Sequence, residues 1–283
     1  MSLVIVTATT NPAQAHECLE SWVMTAEDPP LIIAVVNGCE RPDDFTIKGT
    51  NVAWIYREEY LGSVPAFRLG VEAALSMPTK FEVIACFHDD FEIHQQRWDA
   101  KVLRMFERHP ATGLAGFGGA IGLGALDLYQ KPYDPMSLAR VGFRSDLDEA
   151  EVHGIRSVLV EQVACLDGFS QIGRRQFWEG QRFESSDPPR GLTTLFRPWT
   201  VLEDLGFIHH FYDGALGCLA ARYGWETWYL PLRARHWGGR TAVGDPGYQH
   251  WAKQVNPQGD HGFWEFAHQI GYEEFRDVLP LRV

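Results

Sequence analysis

The sequence predicts an α/β fold in which a mainly parallel central sheet is flanked by helices in a single domain. In the first hundred residues, apolar β-branched runs alternate with helix-like segments. These runs are apolar throughout, which is typical of parallel strands that are buried on both faces. The chain has 283 residues, of which 45% are hydrophobic, so it can bury a core of this kind.

Four strands and two helices are predicted in this region. The strands are LVIVTATT (3–10), LIIAVVNG (31–38), NVAWIYRE (51–58) and FEVIACF (81–87). The first helix is NPAQAHECLESWVMT (11–25), with Asn11 as a cap and Pro12 at its first position. The second helix is SVPAFRLGVEAALSM (63–77). This order places the carboxyl ends of several strands at one edge, where such sheets bind ligands.

The later part of the chain is predicted to be less regular. The stretch RSDLDEAEVHG (144–154) is charged and expected to be exposed, while SVLVEQVACLDGF (157–169) is strand-like. Regular structure returns with a helix that stops near Gly224, followed by a strand that ends at His236. The aromatic tail, 241–283, is expected to form a loop and a terminal helix.

Composition narrows the classes of function. The formal net charge of −12 argues against a broad nucleic-acid footprint. Five scattered cysteines without CxxC spacing indicate free thiols in a reducing compartment. The most membrane-like stretch, 113–126, is too short and too rich in glycine to span a bilayer. With a predicted strand directly at the amino terminus, these features predict a cytoplasmic protein without a signal peptide or a transmembrane segment.

Chargeable residues collect where predicted strands end. His88, Asp89 and Asp90 follow the fourth strand, and His236 ends the last one. Adjacent carboxylates suit a divalent cation such as Mg²⁺, and Mn²⁺ also accepts an imidazole. Asp213 stands at the start of a helix, where it also offsets the helix dipole. A helix cap, a solvated loop or a hydrogen-bonded histidine would explain each residue separately.

Taken in order, four segments resemble a known family. They are VIVTATTNP, EYLGSVPAFRLGVEAA with Gly62, Gly70 and Ala74, FHDDFEI, and LDGFSQIGRR followed by FYDGALGCLAARYGWETWYLPLRARHWGG. This series resembles the inverting nucleotide-sugar glycosyltransferases of the family 2 type, which have the GT-A fold. The resemblance covers about residues 3–240. FHDDFEI stands where that family has its metal-binding DxD motif.

The resemblance implies a role for each matching residue. Asp90, Asp89 and His236 would hold Mn²⁺ or Mg²⁺, and Asp213 would be the catalytic base. The nucleotide sugar would contact Thr7, Thr9, Asn37, Gly62, Asp89 and Arg240, and the acceptor would contact Asp167, Gly168 and Trp178. Residues 1–110 would form the nucleotide-sugar half and 111–240 the acceptor-binding and catalytic half, with 241–283 packed on the same domain. The partners would be a nucleotide-diphosphate sugar, with a UDP-sugar favoured, and an acceptor hydroxyl of a glycan or another biomolecule.

Three departures from the family pattern keep other interpretations open. His88 takes the first position of the DxD motif, Val36 replaces an aspartate before Asn37, and Ala215 replaces a second aspartate after Asp213. A sugar-nucleotide binding module without activity would fit the last departure. A transferase acting on a hydroxymethylated base of phage-type DNA would keep the chemistry, although the acidic charge disfavours it. A metal-dependent hydrolase using His88, Asp89, Asp90 and His94 is disfavoured because His94 shares no helical face with His88.

Overall fold

The structure is a computed structural model that describes residues 1–40, 46–123, 140–147, 155–183, 197–209 and 212–237. Its amino-terminal part follows the predicted order of elements. These are β1 (Leu3–Thr9), α1 (Pro12–Thr25), β2 (Leu31–Asn37), β3 (Val52–Arg57), α2 (Ser63–Ser76) and β4 (Val83–His88). The side chain of Asn11 accepts a hydrogen bond from the Gln14 backbone N–H at 3.3 Å and caps α1 as predicted.

Shorter elements make up the remainder. They are β5 (Phe91–Ile93), α3 (Trp98–Arg108), β6 (Thr112–Gly116), β7 (Gly118–Leu123), β8 (Arg140–Ser145), β9 (Ile155–Arg156), β10 (Glu161–Gln162), β11 (Cys165–Leu166), β12 (Ser170–Arg174), α4 (Arg175–Trp178), α5 (Pro198–Asp204), α6 (Tyr212–Arg222), β13 (Glu226–Tyr229) and β14 (Ala234–His236). Glycines and prolines are frequent from residue 110 onward, and they interrupt regular backbone structure.

The central sheet has eight strands in the order β10-β13-β6-β12-β4-β1-β2-β3. The four amino-terminal strands are mutually parallel, and β6 and β13 run in the same direction. Only β12, between β4 and β6, and β10, at one edge, run antiparallel within the described residues. The predicted mainly parallel sheet is confirmed. A four-stranded sheet, β11-β7-β8-β9, and the pair β14-β5 adjoin it.

Helices cover both faces of this sheet. On one face, α1 and α3 bring Trp22 and Trp98 against Phe87 of β4, with ring centroids 5.3 and 5.6 Å from the Phe87 ring. On the other face, α2 and α5 stack Phe67 on Trp199 at 5.4 Å. Because both faces are packed with buried aromatic side chains, a ligand has access at the strand ends.

Two predictions about the later strands are wrong in detail. The strand expected to run to His236 is divided, because β13 ends at Tyr229 and β14 begins only at Ala234. Pro231 lies in the gap, where a residue without an N–H cannot continue a strand ladder. The strand-like stretch 157–169 forms the short strands β10 and β11 instead of one strand.

Several predicted features lie outside the described residues. These are the tail 241–283, Arg240, and part of the charged stretch 144–154. Among the helices that the structure does describe, none combines the length and the apolar character that crossing a bilayer requires.

Candidate active site

The candidate site begins at the turn that follows β4. This strand ends at His88. The next two residues, Asp89 and Asp90, form the turn, and β5 then pairs antiparallel with β14. The register places His236 opposite Phe91, and the backbone N–H of Trp237 donates to the Asp90 carbonyl at 2.9 Å. This pairing brings the end of β14 beside the turn.

His88, Asp90 and His236 form one cluster of possible metal ligands. One ligating atom from each residue lies within 4.8 Å of the other two. Oδ1 of Asp90 is 3.3 Å from Nε2 of His236 and 3.8 Å from Nδ1 of His88. Asp89 is buried, but its carboxylate is outside this group. The structure therefore places Asp90 and His236 together, as the sequence predicts, and adds His88 in place of Asp89.

Aromatic packing holds both imidazoles in place. The His236 ring stacks on Phe169, with centroids 4.6 Å apart and planes 28° apart. The His88 ring is stacked on Phe67 at 6.1 Å, and its Nε2 is 2.7 Å from the Tyr212 hydroxyl. Because these contacts fix the ring planes, the two histidines approach Asp90 with little freedom to turn away.

The electrostatics of the cluster favour protonation states that bind cations. Burial lowers the pKa of His88 below its ordinary value, and the opposing effect of Asp90 does not reverse this shift. Burial alone would raise the pKa of Asp90, but the close approach of His236 holds it below the usual range. At neutral pH, an ionised carboxylate therefore faces a neutral His88 imidazole, as metal binding requires.

Two further carboxylates lie near the cluster. Asp213 is in the first turn of α6 and is buried, with Oδ1 accepting from the Gly214 N–H at 2.8 Å. Asp167 is half-buried in the loop between β11 and β12. Both are near enough to raise the pKa of His88 through their charges. Gly168 contacts the start of the same helix, because its carbonyl accepts from the Tyr212 hydroxyl at 3.1 Å.

Three of the residues predicted to bind the nucleotide, Thr7, Thr9 and Asn37, lie toward the carboxyl ends of β1 and β2. Thr7 and Thr9 are buried, and the Thr9 hydroxyl accepts from the Asn11 N–H at 3.0 Å. Both polar atoms of the Asn37 side chain bind the loop between β3 and α2. Oδ1 accepts from the Leu61 N–H at 2.8 Å, and Nδ2 donates to the Gly62 carbonyl at 3.2 Å. Asn37 thus acts as a support for the loop in this structure.

Gly62 has a structural requirement of its own. Its φ of 90° and ψ of 173° place it in a region that essentially only glycine adopts. A Cβ at this position would also collide with the side chain of Ile208. The resemblance places Gly62 at the nucleotide sugar, and the backbone conformation gives an independent reason for glycine at this position.

We expect Gly62→Ala to lower the free energy of unfolding by more than the roughly 1–3 kcal/mol of backbone strain alone, because of the added collision. Gly206→Ala is the matched control, since Gly206 has a φ of 84° but open space around it. Urea denaturation of both variants measures the difference. Equal losses would contradict the tight contact with Ile208.

Trp178 must be removed from the predicted acceptor site. Its side chain is buried in the core, stacked on Trp199 at 5.6 Å, and its indole N–H donates to the Ile84 carbonyl at 3.1 Å. An indole that is packed on its face and satisfied at its nitrogen cannot act as a sugar platform. The predicted contact of Arg240 stays a prediction, because Arg240 lies outside the described residues.

Two residues that the structure brings to this region were not predicted from the sequence. Tyr212 contacts both His88 and Gly168, and the only sequence signal was its place directly before Asp213. His209 is buried beside the Gly62 loop and stacks on Tyr60, with centroids 5.4 Å apart. No motif marks His209, because its contact with Tyr60 joins segments that are distant in the sequence.

Comparison with solved structures identifies the type of fold. The chain is similar to GalNAc-T7, whose structure contains UDP, GalNAc and Mn²⁺, with 12% sequence identity and a TM-score of 0.55 over 98% of this chain and 56% of that chain. The fold is GT-A-like. The chain spans a little over half the length of the GalNAc-T7 chain. At this identity the similarity concerns the fold alone.

Two more distant similarities accompany this GT-A-like match. S. aureus TarS (1–349) has 10% identity and a TM-score of 0.41 over 99% of this chain and 76% of that chain. A197 from STIV has 10% identity and a TM-score of 0.39 over 84% and 86%. No protein-family model matches the sequence, and no curated protein sequence does.

Proposed function

We propose that this chain is a metal-dependent inverting glycosyltransferase of the family 2 type. It would move a hexose-like sugar from a nucleotide diphosphate, with UDP favoured, to an acceptor hydroxyl of a glycan or another biomolecule. The observation that carries the proposal is the convergence of His88, Asp90 and His236 at the end of β4 in a GT-A-like fold. The first turn of α6, which contains Asp213, lies beside this cluster.

The chemistry of the cluster fits a divalent cation. Two imidazole nitrogens and one carboxylate oxygen suit Mn²⁺ better than Mg²⁺, which prefers an all-oxygen shell. The UDP and Mn²⁺ in the GalNAc-T7 structure support the same choice. When bound, the cation would neutralise the negative charge that develops on the departing diphosphate.

The remaining chemistry belongs to side chains of this chain. The acceptor oxygen would attack the anomeric carbon from the side opposite the diphosphate, so the configuration inverts as the carbon–oxygen bond to the leaving group breaks. Asp213 would accept the hydroxyl proton, a contribution typically worth about 10²–10⁴ in rate. The acceptor would be oriented by Asp167 and Gly168. The nucleotide pocket would be formed or supported by Thr7, Thr9, Asn37 and Gly62, and Asp89 would lie beside it.

A donor-hydrolysis assay tests this proposal without knowledge of the acceptor. UDP-, GDP- and dTDP-sugars are incubated with the protein and Mn²⁺, and the anomeric form of the released sugar is followed early by ¹H NMR. We expect turnover of one donor class, with inversion of the anomeric configuration. Release of a retained anomer would contradict the inverting mechanism. Donor binding without any turnover would instead indicate a sugar-nucleotide binding module.

Metal removal is a separate test on the same reaction. We expect EDTA to abolish turnover and added Mn²⁺ to restore it, because the leaving diphosphate would otherwise carry its charge without compensation. Mg²⁺ should restore less activity than Mn²⁺, given the two imidazole ligands. Full activity in excess chelator would exclude a catalytic cation.

A further inference from the structure

We propose that Tyr212 is a positioning residue of the metal centre, whose hydroxyl fixes His88 in its Nε2–H tautomer and leaves the Nδ1 lone pair facing Asp90. This inference rests on the proposed metal-dependent function. It concerns a residue that no sequence motif assigned, and it gives the first turn of α6 a second task beside that of Asp213.

The number of hydrogens on the Tyr212 hydroxyl determines the tautomer of His88. The Tyr212 hydroxyl has one hydrogen, and it donates that hydrogen to the Gly168 carbonyl at 3.1 Å, an oxygen that can only accept. The same hydroxyl is 2.7 Å from Nε2 of His88. With its hydrogen already engaged, it acts there as the acceptor, so Nε2 carries the proton. A neutral imidazole has one N–H, and Nδ1 is left with its lone pair.

This lone pair is available to bind a metal ion on the side of the ring that faces Asp90. Nδ1 is the His88 nitrogen that lies 3.8 Å from Oδ1 of Asp90. Histidines that bind metals usually donate their other N–H to an outer partner, which sets both the tautomer and the ring orientation. In this site Tyr212 is that partner, and Gly168 in turn orients Tyr212.

The alternative tautomer is disfavoured by the surroundings. If Nδ1 carried the proton, the Tyr212 hydroxyl would have to turn its hydrogen toward Nε2 and abandon the buried Gly168 carbonyl. A buried acceptor left without a donor costs about 1–3 kcal/mol. The hydroxyl lies directly against Gly168, because a Cβ at that position would be only 2.6 Å from the hydroxyl oxygen.

The contact also joins three parts of the site. Tyr212 touches the metal-ligand residue His88, the acceptor loop at Gly168, and, through the chain, the neighbouring Asp213. Loss of the hydroxyl should therefore weaken metal binding without removing a metal ligand.

Two measurements test this inference. Long-range ¹H–¹⁵N NMR of the metal-free protein labelled at histidine reports the tautomer of His88 directly, and we expect Nε2–H in the wild type. Titration with Mn²⁺ should give a dissociation constant about tenfold higher for Tyr212→Phe, near the lower end of typical outer-shell effects. The control is Tyr229→Phe, because Tyr229 is also buried and donates to a backbone carbonyl, that of Ser157, at 2.7 Å.

The outcomes separate this inference from the proposed function. An Nδ1–H tautomer in the wild type would overturn it without any variant. Equal Mn²⁺ affinities for Tyr212→Phe and Tyr229→Phe would overturn it as well, while leaving the metal centre in place. A wild type that binds Mn²⁺ at this cluster but turns over no sugar nucleotide would count against the function and leave the role of Tyr212 standing.

Discussion

We expect Asp90→Asn to weaken Mn²⁺ binding by about 100-fold or more, the largest effect on binding in this site. The substitution keeps the shape of the side chain but removes the negative charge of the carboxylate that both imidazoles approach. Loss of a direct ligand should exceed the roughly 10–100-fold effect typical of an outer-shell partner. Isothermal titration with MnCl₂, in the presence and absence of UDP, measures the change.

A matched variant guards against a general loss of stability. Asp146 is also a buried carboxylate, and its partner is Arg156, with a nitrogen–oxygen distance of 2.8 Å. Asp146→Asn should bind Mn²⁺ like the wild type even if its melting temperature falls. Wild-type affinity in a folded Asp90→Asn protein would show that the cation is held elsewhere.

The second large effect concerns turnover. Asp213→Asn retains size and most hydrogen bonding but cannot accept a proton, so we expect kcat to fall by about 10²-fold or more. The dissociation constants for donor and Mn²⁺ should change little, because Asp213 lies outside the ligand cluster. Steady-state kinetics with the donor found in the hydrolysis assay, combined with titrations, separate the two quantities.

Asp167 is the comparison for this experiment. Its charge also acts on His88, so it is the other carboxylate near the cluster that could accept a proton. We expect Asp167→Asn to raise KM for the acceptor more than it lowers kcat. A reversed pattern, with Asp213→Asn near the wild-type rate and Asp167→Asn inactive, would move the base to Asp167.

The amino-terminal half of the fold was predictable because its signals are local. The apolar runs of β1, β2 and β4 indicate buried parallel strands, and Asn11 with Pro12 marks the start of α1. The later strands were harder to predict. In β6 and β7 glycines replace apolar residues, since the backbones pack closely; a Cβ at Gly119 would lie 2.8 Å from the Cys165 carbonyl oxygen.

The candidate site was predictable only in part, for a similar reason. Asp90 directly follows a predicted strand and His236 ends another, and the order of motifs suggested that they meet. Tyr212 acts through contacts with His88 and Gly168, which belong to segments distant in the sequence, and no local pattern encodes such contacts. Trp178 was misassigned because an aromatic residue in a glycine-rich region has the same sequence pattern whether it lines a site or fills a core.

The most direct test of the central claim is the anomalous signal of manganese in crystals grown with MnCl₂ and UDP. We expect one peak at the end of β4, with Nδ1 of His88, Oδ1 of Asp90 and Nε2 of His236 at about 2.0–2.3 Å from the ion. Bound UDP with no manganese at this cluster, or with manganese held by other residues, would contradict it.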